Sequence, residues 1–92
     1  MAHTKEEKRK LLNRVRRILG QVEGIERELN DEAVECSTLL HTISACRGAM
    51  DGLMAEVIEG HIRYHVLDPQ HQTDEQARAA DDLIDALRAY LR

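Results

Sequence analysis

Hydrophobic positions follow helical spacing in three stretches of this chain. The first stretch places Leu11, Val15, Ile18, Val22, Ile25 and Leu29 at alternating intervals of four and three residues. This is the heptad seam of a packed helix. Before it, Thr4-Lys5-Glu6-Glu7 has the pattern of a capping box, which starts a helix. The pattern predicts a first helix over residues 5–29.

The second and third stretches predict a longer helix and a shorter one. Apolar residues at positions 39/40, 43, 46, 50, 53/54, 57/58 and 62 predict a helix over residues 33–67, which Pro69 ends. Thr73-Asp74-Glu75-Gln76 is a second capping box and opens a helix over residues 74–91. We therefore expect one all-α, three-helix domain over residues 1–92. The second helix outruns the other two, which indicates that another subunit covers part of it.

Composition strengthens the expectation of an oligomer. The 92 residues include no Phe or Trp, and Tyr64 and Tyr90 are the only aromatic residues. A small domain without large aromatic anchors buries little surface alone. Five Gly and one Pro are too few turn formers for an all-β chain. The chain has no apolar run that would span a bilayer and no secretory segment, so we expect a soluble, cytoplasmic protein with no membrane partner.

Charge is strongly separated along the chain. Residues 1–20 contain seven of the 13 Lys and Arg residues but only two acids, which gives +5 against a total of −4. Lys10, Arg14 and Arg17 recur at intervals of four and three and form a stripe, with Lys8 and Arg16 beside it. Such a run is usually only the solvated side of a helix. Its repetition in an oligomer would instead suit the phosphates of duplex DNA.

The segment EGHIRYH places His61 and His65 one helical turn apart. Cys36 lies 25 to 29 residues earlier on the same predicted helix, or roughly 37–44 Å away at a rise of 1.5 Å per residue. One copy cannot join these donors, whereas two antiparallel copies can. Their crossing would fall near Gly48 and Gly52, where small residues allow two backbones to approach. The pattern predicts two equivalent intersubunit sites per dimer.

The N-terminus offers two further donors. Removal of Met1 before the small Ala2 would leave a free Ala2 amine, followed by His3. A nitrogen-rich set of up to five donors, including a thiolate, fits Ni(II) or Co(II) better than Cu(I). The alternative is that the histidines are merely solvated and that Cys36 is a small hydrophobic residue. By spacing, Cys46 is a core residue, and His41 and His71 are surface residues.

Taken together, these motifs resemble the small all-helical CsoR/RcnR/FrmR repressors. The resemblance covers nearly the whole chain. It is strongest in KLLNRVRRILGQVEGIERELN (10–30), ECSTLLHTISACRGAMDGLMAEVIEGHI (35–62) and LRAYLR (87–92). It implies a dimer built on an antiparallel four-helix bundle, a tetramer of two such dimers, and an apo form that binds an operator and is released by its effector. The gene derepressed would serve efflux or detoxification.

The resemblance also assigns residues. It implies an effector site of His3, Cys36, His61 and His65, with the Ala2 amine as an extra donor, and it matches the nickel/cobalt branch. Zn(II) is a further candidate metal for this site in vitro. The DNA-facing residues implied are Arg14 and Arg17, followed by Lys10, Arg16 and Arg47.

Two alternatives stay open. The same scaffold could sense formaldehyde through Cys36 and the Ala2 amine, although formaldehyde sensors of the family generally carry a proline at that N-terminal position. The chain could also be a structural or zinc-binding helical oligomer with no DNA role. We do not expect an enzyme, because the sequence has no nucleophile–base–orienter set and no phosphate loop.

Overall fold

A computed structural model describes residues 4–91 as an all-helical chain. It contains α1 (Lys5–Asn30), α2 (Cys36–His61) and α3 (Asp74–Tyr90), and no strand occurs in this range. The predicted all-α, three-helix class is therefore confirmed. Within the same residues, no helix has both the length and the apolarity needed to cross a membrane.

Both threonine caps form as the sequence predicts. The Thr4 hydroxyl accepts a hydrogen bond from the backbone N–H of Glu7 at 3.1 Å. At the start of α3, the Thr73 hydroxyl accepts from the Gln76 N–H at 3.1 Å, and the Thr73 N–H donates to the Gln76 side chain at 2.9 Å. These contacts satisfy backbone donors that have no partner inside the helix.

The second helix begins three residues later than predicted. The backbone N–H of Ala33 donates to the Asp31 carboxylate at 2.9 Å, and the N–H of Val34 donates to the Asp31 carbonyl at 3.1 Å. These bonds hold residues 31–34 in a turn, and α2 starts at Cys36. The prediction that the second helix begins at residue 33 was wrong, because apolar Ala33 and Val34 continue the helical pattern into that turn.

The end of the second helix is also not the regular α-helix predicted through residue 67. Residues Ile62–Val66 form a π-helical segment that directly follows His61. The Leu67 N–H donates to the Ile62 carbonyl at 3.1 Å, which is a bond between residues five apart. Single π turns of this kind are often found at functional sites.

Helices α1 and α2 form an antiparallel hairpin. Thr42 donates to the Glu28 carboxylate at 2.7 Å, and Arg14 donates to the Glu56 carboxylate at 2.6 Å. The residue numbers of both pairs sum to 70, so residues at the start of α1 lie level with residues at the end of α2. Lys5 is thus level with His65, and Cys36 lies beyond the C-terminal end of α1.

Helix α3 packs on the end of the hairpin. Ile62 of the π segment is buried with Ala80 and Ile84 of α3. This small core is flanked by the partly buried residues Ile58, Leu67 and Leu87. The same contact anchors the turn that carries His65.

The protomer is extended and thin. It measures 58 × 26 × 13 Å along its principal axes, and its radius of gyration is 17.4 Å. A compact domain of this length would have a radius of gyration of about 12 Å. No large side chain among residues 4–91 is completely buried, and many apolar side chains of α1 and α2 are exposed, including Leu12, Leu19, Val22, Leu40, Ile43, Met50 and Met54.

Candidate metal centre and nucleic-acid interface

His61 and His65 lie side by side at the end of α2. His61 is the last residue of the helix, and His65 belongs to the π segment. Their rings stack, with centroids 5.3 Å apart and planes inclined by 22°. Both residues are exposed. The two imidazoles are therefore adjacent and accessible to an ion from solution.

The thiol of Cys36 is free and exposed, at the opposite end of the same helix. The 26 residues of α2 separate Cys36 from His61 by about 37 Å. Over residues 4–91, no three His, Cys, Asp or Glu side chains come together in a group that could hold a metal ion. The donors within this range therefore do not form a site inside one protomer.

The other predicted donors and histidines are placed as follows. Ala2 and His3 lie outside the described residues. Cys46 is buried, which confirms its interpretation as a core residue. His41 and His71 are on the surface as predicted, and the ring of His71 lies 2.6 Å from the Asp68 carboxylate.

The two interior glycines of α2 have different surroundings. A Cβ atom at Gly48 would meet nothing within 4 Å in the protomer. A Cβ atom at Gly52 would lie 2.5 Å from Nη1 of Arg14. Gly48 is thus open to an approaching partner, whereas Gly52 makes room for α1 of its own chain. The sequence predicted that both glycines mark a crossing point between subunits. For Gly52 this is corrected, because the small residue accommodates Arg14 of the same chain.

A polar groove of about 550 Å³ runs between α1, the end of α2 and α3. The predicted stripe of Lys10, Arg14 and Arg17 lines it. Two cations that no sequence pattern predicted, Arg63 and Arg88, line it as well. They belong to no run of basic residues, so only the packing of α3 on α2 brings them to the stripe.

Acidic side chains hold three of these cations in place. Besides the Arg14–Glu56 pair, Arg88 lies 3.0 Å from Glu59, and Arg63 lies 2.8 Å from Asp81. The hydrogen bond to Asp81 is the main cause that raises the pKa of Arg63 above its usual value. No hydrogen bond or ion pair of Lys10 or Arg17 is found among the described residues. These two cations are exposed and available to an external anion.

A further contact links α1 to the π segment. The neighbouring Glu7 carboxylate raises the pKa of the Tyr64 hydroxyl, mainly by accepting a hydrogen bond from it. Tyr64 lies directly before His65 in the chain. The first turns of α1 are therefore connected to the turn that carries the second imidazole.

Arg16 and Arg47 do not line the groove. Both are exposed, and the Arg16 guanidinium lies 3.4 Å from the Asn13 side-chain oxygen. The groove contains three of the five residues predicted to face DNA.

Comparison with known proteins identifies the family. Residues 7–89 match the family model described as metal-sensitive transcriptional repressor. The chain belongs to this family. The resemblance stated from the sequence is confirmed, and the protein is a member of a family of transcriptional repressors rather than of enzymes.

Three similar proteins cover most of the chain. The transcriptional repressor RcnR of Salmonella paratyphi B is 46% identical over 81 residues, which are 88% of this chain and 86% of RcnR. An uncharacterized protein in the bioA 5′ region of Serratia marcescens is 44% identical over the full length of both chains. A solved variant of the formaldehyde-responsive regulator FrmR of Salmonella enterica serovar Typhimurium has a TM-score of 0.69 and 41% identity, and covers 96% of this chain and 98% of its own.

Proposed function

We propose that this repressor senses Ni(II) or Co(II) and leaves its operator when the metal binds, which derepresses an efflux or detoxification gene. The observation that carries the proposal is the exposed, stacked pair of His61 and His65. Two imidazoles one turn apart on a single segment can bind the same ion, and imidazole is a good ligand for Ni(II), Co(II) and Zn(II).

The proposed site needs a second copy of the chain. Cys36 is about 37 Å from His61 in its own protomer, so it joins a histidine pair only in an antiparallel dimer. The exposed surface supports such a dimer. The protomer exposes 7079 Å², whereas a compact monomer of 10.5 kDa exposes about 5,400 Å². The excess of about 1,700 Å² per protomer is larger than the roughly 800 Å² that each partner buries in a standard interface.

The exposed apolar side chains give this dimer its surface. Leu40, Ile43, Met50 and Met54 follow helical spacing along α2, and the open Gly48 lies among them. Two copies of this surface would bury each other and form the antiparallel four-helix bundle, and two dimers would form the tetramer. Each dimer would then hold two equivalent sites.

The N-terminal donors complete the proposed ligand set. Because Lys5 is level with His65, α1 begins at the end of the hairpin that carries the histidines. The Ala2 amine and His3 are therefore proposed as ligands beside His61, His65 and the partner copy's thiol. Such a nitrogen-rich set with one thiolate suits Ni(II) and Co(II). Zn(II) is expected to compete in vitro.

The groove cations are proposed to bind the operator phosphates. Lys10, Arg14 and Arg17 lie along one edge, and each additional copy repeats them. Arg16 and Arg47 would contribute from outside the groove. Binding of this kind depends on phosphate contacts and weakens steeply as the salt concentration rises.

Operator binding in the presence and absence of metal tests the proposal. Fluorescence anisotropy on a duplex from the protein's own promoter should show tight binding by the apo protein. One equivalent of Ni(II) or Co(II) should weaken it by about 5- to 150-fold, the range of typical allosteric coupling. The His61→Ala/His65→Ala double variant is the control and should bind DNA equally with and without metal. Equal affinity of the wild type in both conditions would refute metal sensing.

Formaldehyde sensing is the second candidate function. The 41% identity to FrmR and the exposed thiol of Cys36 favour it. Formaldehyde would join the thiol and the Ala2 amine through one methylene group, as the thiol and the amine each lose a proton and the formaldehyde oxygen leaves as water. Intact-mass and peptide analysis after exposure should then show that bridge, and Cys36→Ala should lack it. A wild-type protein that keeps both groups unmodified excludes this candidate. A purely structural oligomer is not supported, because the family consists of transcriptional repressors.

A further inference from the structure

The guanidinium of Arg14 lies between two positions of α2 that are one turn apart. On one side, its Nη2 donates to the Glu56 carboxylate at 2.6 Å. On the other side, its Nη1 lies against Gly52, at a point where a Cβ atom would be only 2.5 Å away. Gly52 and Glu56 together form what we call the arginine seat.

The seat explains why glycine occupies position 52. Glycine in the middle of a helix is unfavourable compared with alanine because it loses more backbone entropy. Within the protomer, the atoms that a Cβ at position 52 would meet all belong to the Arg14 guanidinium. The unfavourable glycine in α2 therefore occurs at the point where the Arg14 guanidinium approaches the helix backbone.

The seat leaves part of the guanidinium free. Arg14 has five N–H donors, and its contact with Glu56 is a single hydrogen bond. The side chains of Arg14 and Glu56 are each 31% exposed, so the pair is at the surface of the groove rather than in the core. An arginine whose Nη2 is held by a carboxylate can offer its remaining N–H groups to a phosphate without first losing side-chain freedom.

We propose that Gly52 and Glu56 are positioning residues for DNA binding, because they hold Arg14 in the groove beside Lys10 and Arg17. The inference rests on the proposed role of Arg14 in operator binding. It makes a prediction opposite to simple electrostatics. Removal of an acid from the DNA-facing groove should increase attraction to phosphates, whereas loss of the seat should weaken binding.

Two substitutions of Glu56 separate these effects in the apo protein. Glu56→Ala removes both the charge and the acceptor and should weaken operator binding about twofold to tenfold, because DNA binding would then have to order the Arg14 side chain. Glu56→Gln removes only the charge and should recover most of that loss. Glu23→Ala is the matched control, since Glu23 is an exposed acid of α1 that makes no hydrogen bond or ion pair within residues 4–91.

A third variant tests whether weaker operator binding arises from a folding defect rather than from loss of the seat. Gly52→Ala increases the helix propensity of α2, so the protein should unfold at the same or a higher temperature. Its methyl group would displace the flexible end of Arg14, and operator binding should weaken as with Glu56→Ala. A protein that folds better and binds DNA less tightly is the signature of the seat.

Arg14→Ala distinguishes a failure of the arginine seat from a failure of the proposed DNA-binding role of Arg14. It should weaken binding at least as much as Glu56→Ala, with a salt dependence shallower by about one unit per lost phosphate contact. If Arg14→Ala weakens binding while Glu56→Ala and Gly52→Ala bind as tightly as the wild type or more tightly, the seat is refuted and the function stands. If Arg14→Ala has no effect, both the role of Arg14 and the seat are wrong. A wild-type chain that binds no duplex would overturn the proposed function and this inference together.

Discussion

Complementation between two defective chains tests whether the metal site is shared between subunits. One chain carries Cys36→Ala, and the other carries His61→Ala and His65→Ala. Neither variant alone should form a site that joins the Cys36 thiolate to the His61 and His65 imidazoles. In their heterodimer, the intact Cys36 of the second chain meets the intact histidines of the first, so one of the two sites is restored.

The structure sets the size of the expected signal. Cys36 and His61 are separated by about 37 Å along α2, while zinc–ligand bonds measure about 2.0–2.3 Å, so no site within one chain can use both. Random exchange of subunits in an equal mixture makes half of the dimers heterodimers, with one site each. The mixture should therefore recover about one quarter of the sites of the wild type, if the dimer is symmetric.

Co(II) is the probe for this experiment, because its absorption spectrum reports thiolate ligation directly. The thiolate-to-cobalt band should be absent from the Cys36→Ala chain and weak in the double-histidine chain, which keeps only the thiol and the N-terminal donors. Mixing the two chains should restore about one quarter of the wild-type intensity. A chain with all three substitutions, used in place of the double-histidine chain, is the control and should restore nothing. A mixture without the band would refute the intersubunit site, and a full band from either variant alone would refute the ligand assignment.

Four further measurements test the fold and its assembly. Gly48→Leu should dissociate the oligomer in sedimentation experiments with little loss of helicity, because a side chain there meets no atom of its own protomer within 4 Å of the Cβ. Ile84→Ala should lower the free energy of unfolding in urea by about 2–5 kcal/mol, since Ile84 is 4% exposed. Thr73→Ala should cost about 1 kcal/mol in the same assay, because it removes the cap of α3. The hydrogen bond from the Gln70 N–H lowers the pKa of Asp68 below its ordinary value of 3.8, so ionised Asp68 stabilises the fold above that pH. This contribution should be lost as the pH falls below 3.8, and an acid-unfolding titration of Asp68→Asn should lack it.

Local pattern was sufficient to predict the helices. The seam from Leu11 to Leu29 and the two threonine caps depend only on neighbours within two turns, so they can be read from the chain. The turn after α1 was harder, because Asp31 binds backbone groups that an apolar pattern assigns to a helix. The π turn has no local signature at all. It coincides with the packing of Ile62 on α3, which is a tertiary contact.

The candidate site was predictable where it depends on sequence separation. The distance from Cys36 to His61 follows from helical rise alone, and the structure gives both residues the exposure that an ion requires. The surroundings of Gly52 were not predictable. Gly48 and Gly52 lie one helical turn apart, and nothing in the sequence indicates that Gly52 faces α1 while Gly48 faces solvent. Arg63 and Arg88 were missed for a similar reason. They join the basic stripe only through the docking of α3.

If the protomer dimerises as proposed, its thinness would make its folding depend on protein concentration. At 13 Å, the chain is hardly thicker than a single helix with its side chains, which is about 10–12 Å across. In the proposed dimer, burial of the broad faces would form part of the folding reaction, and stability would rise with protein concentration by mass action. Scarce copies would unfold and be degraded faster than abundant ones. The amount of repressor in the cell would thus act as a second signal at the operator, alongside the effector.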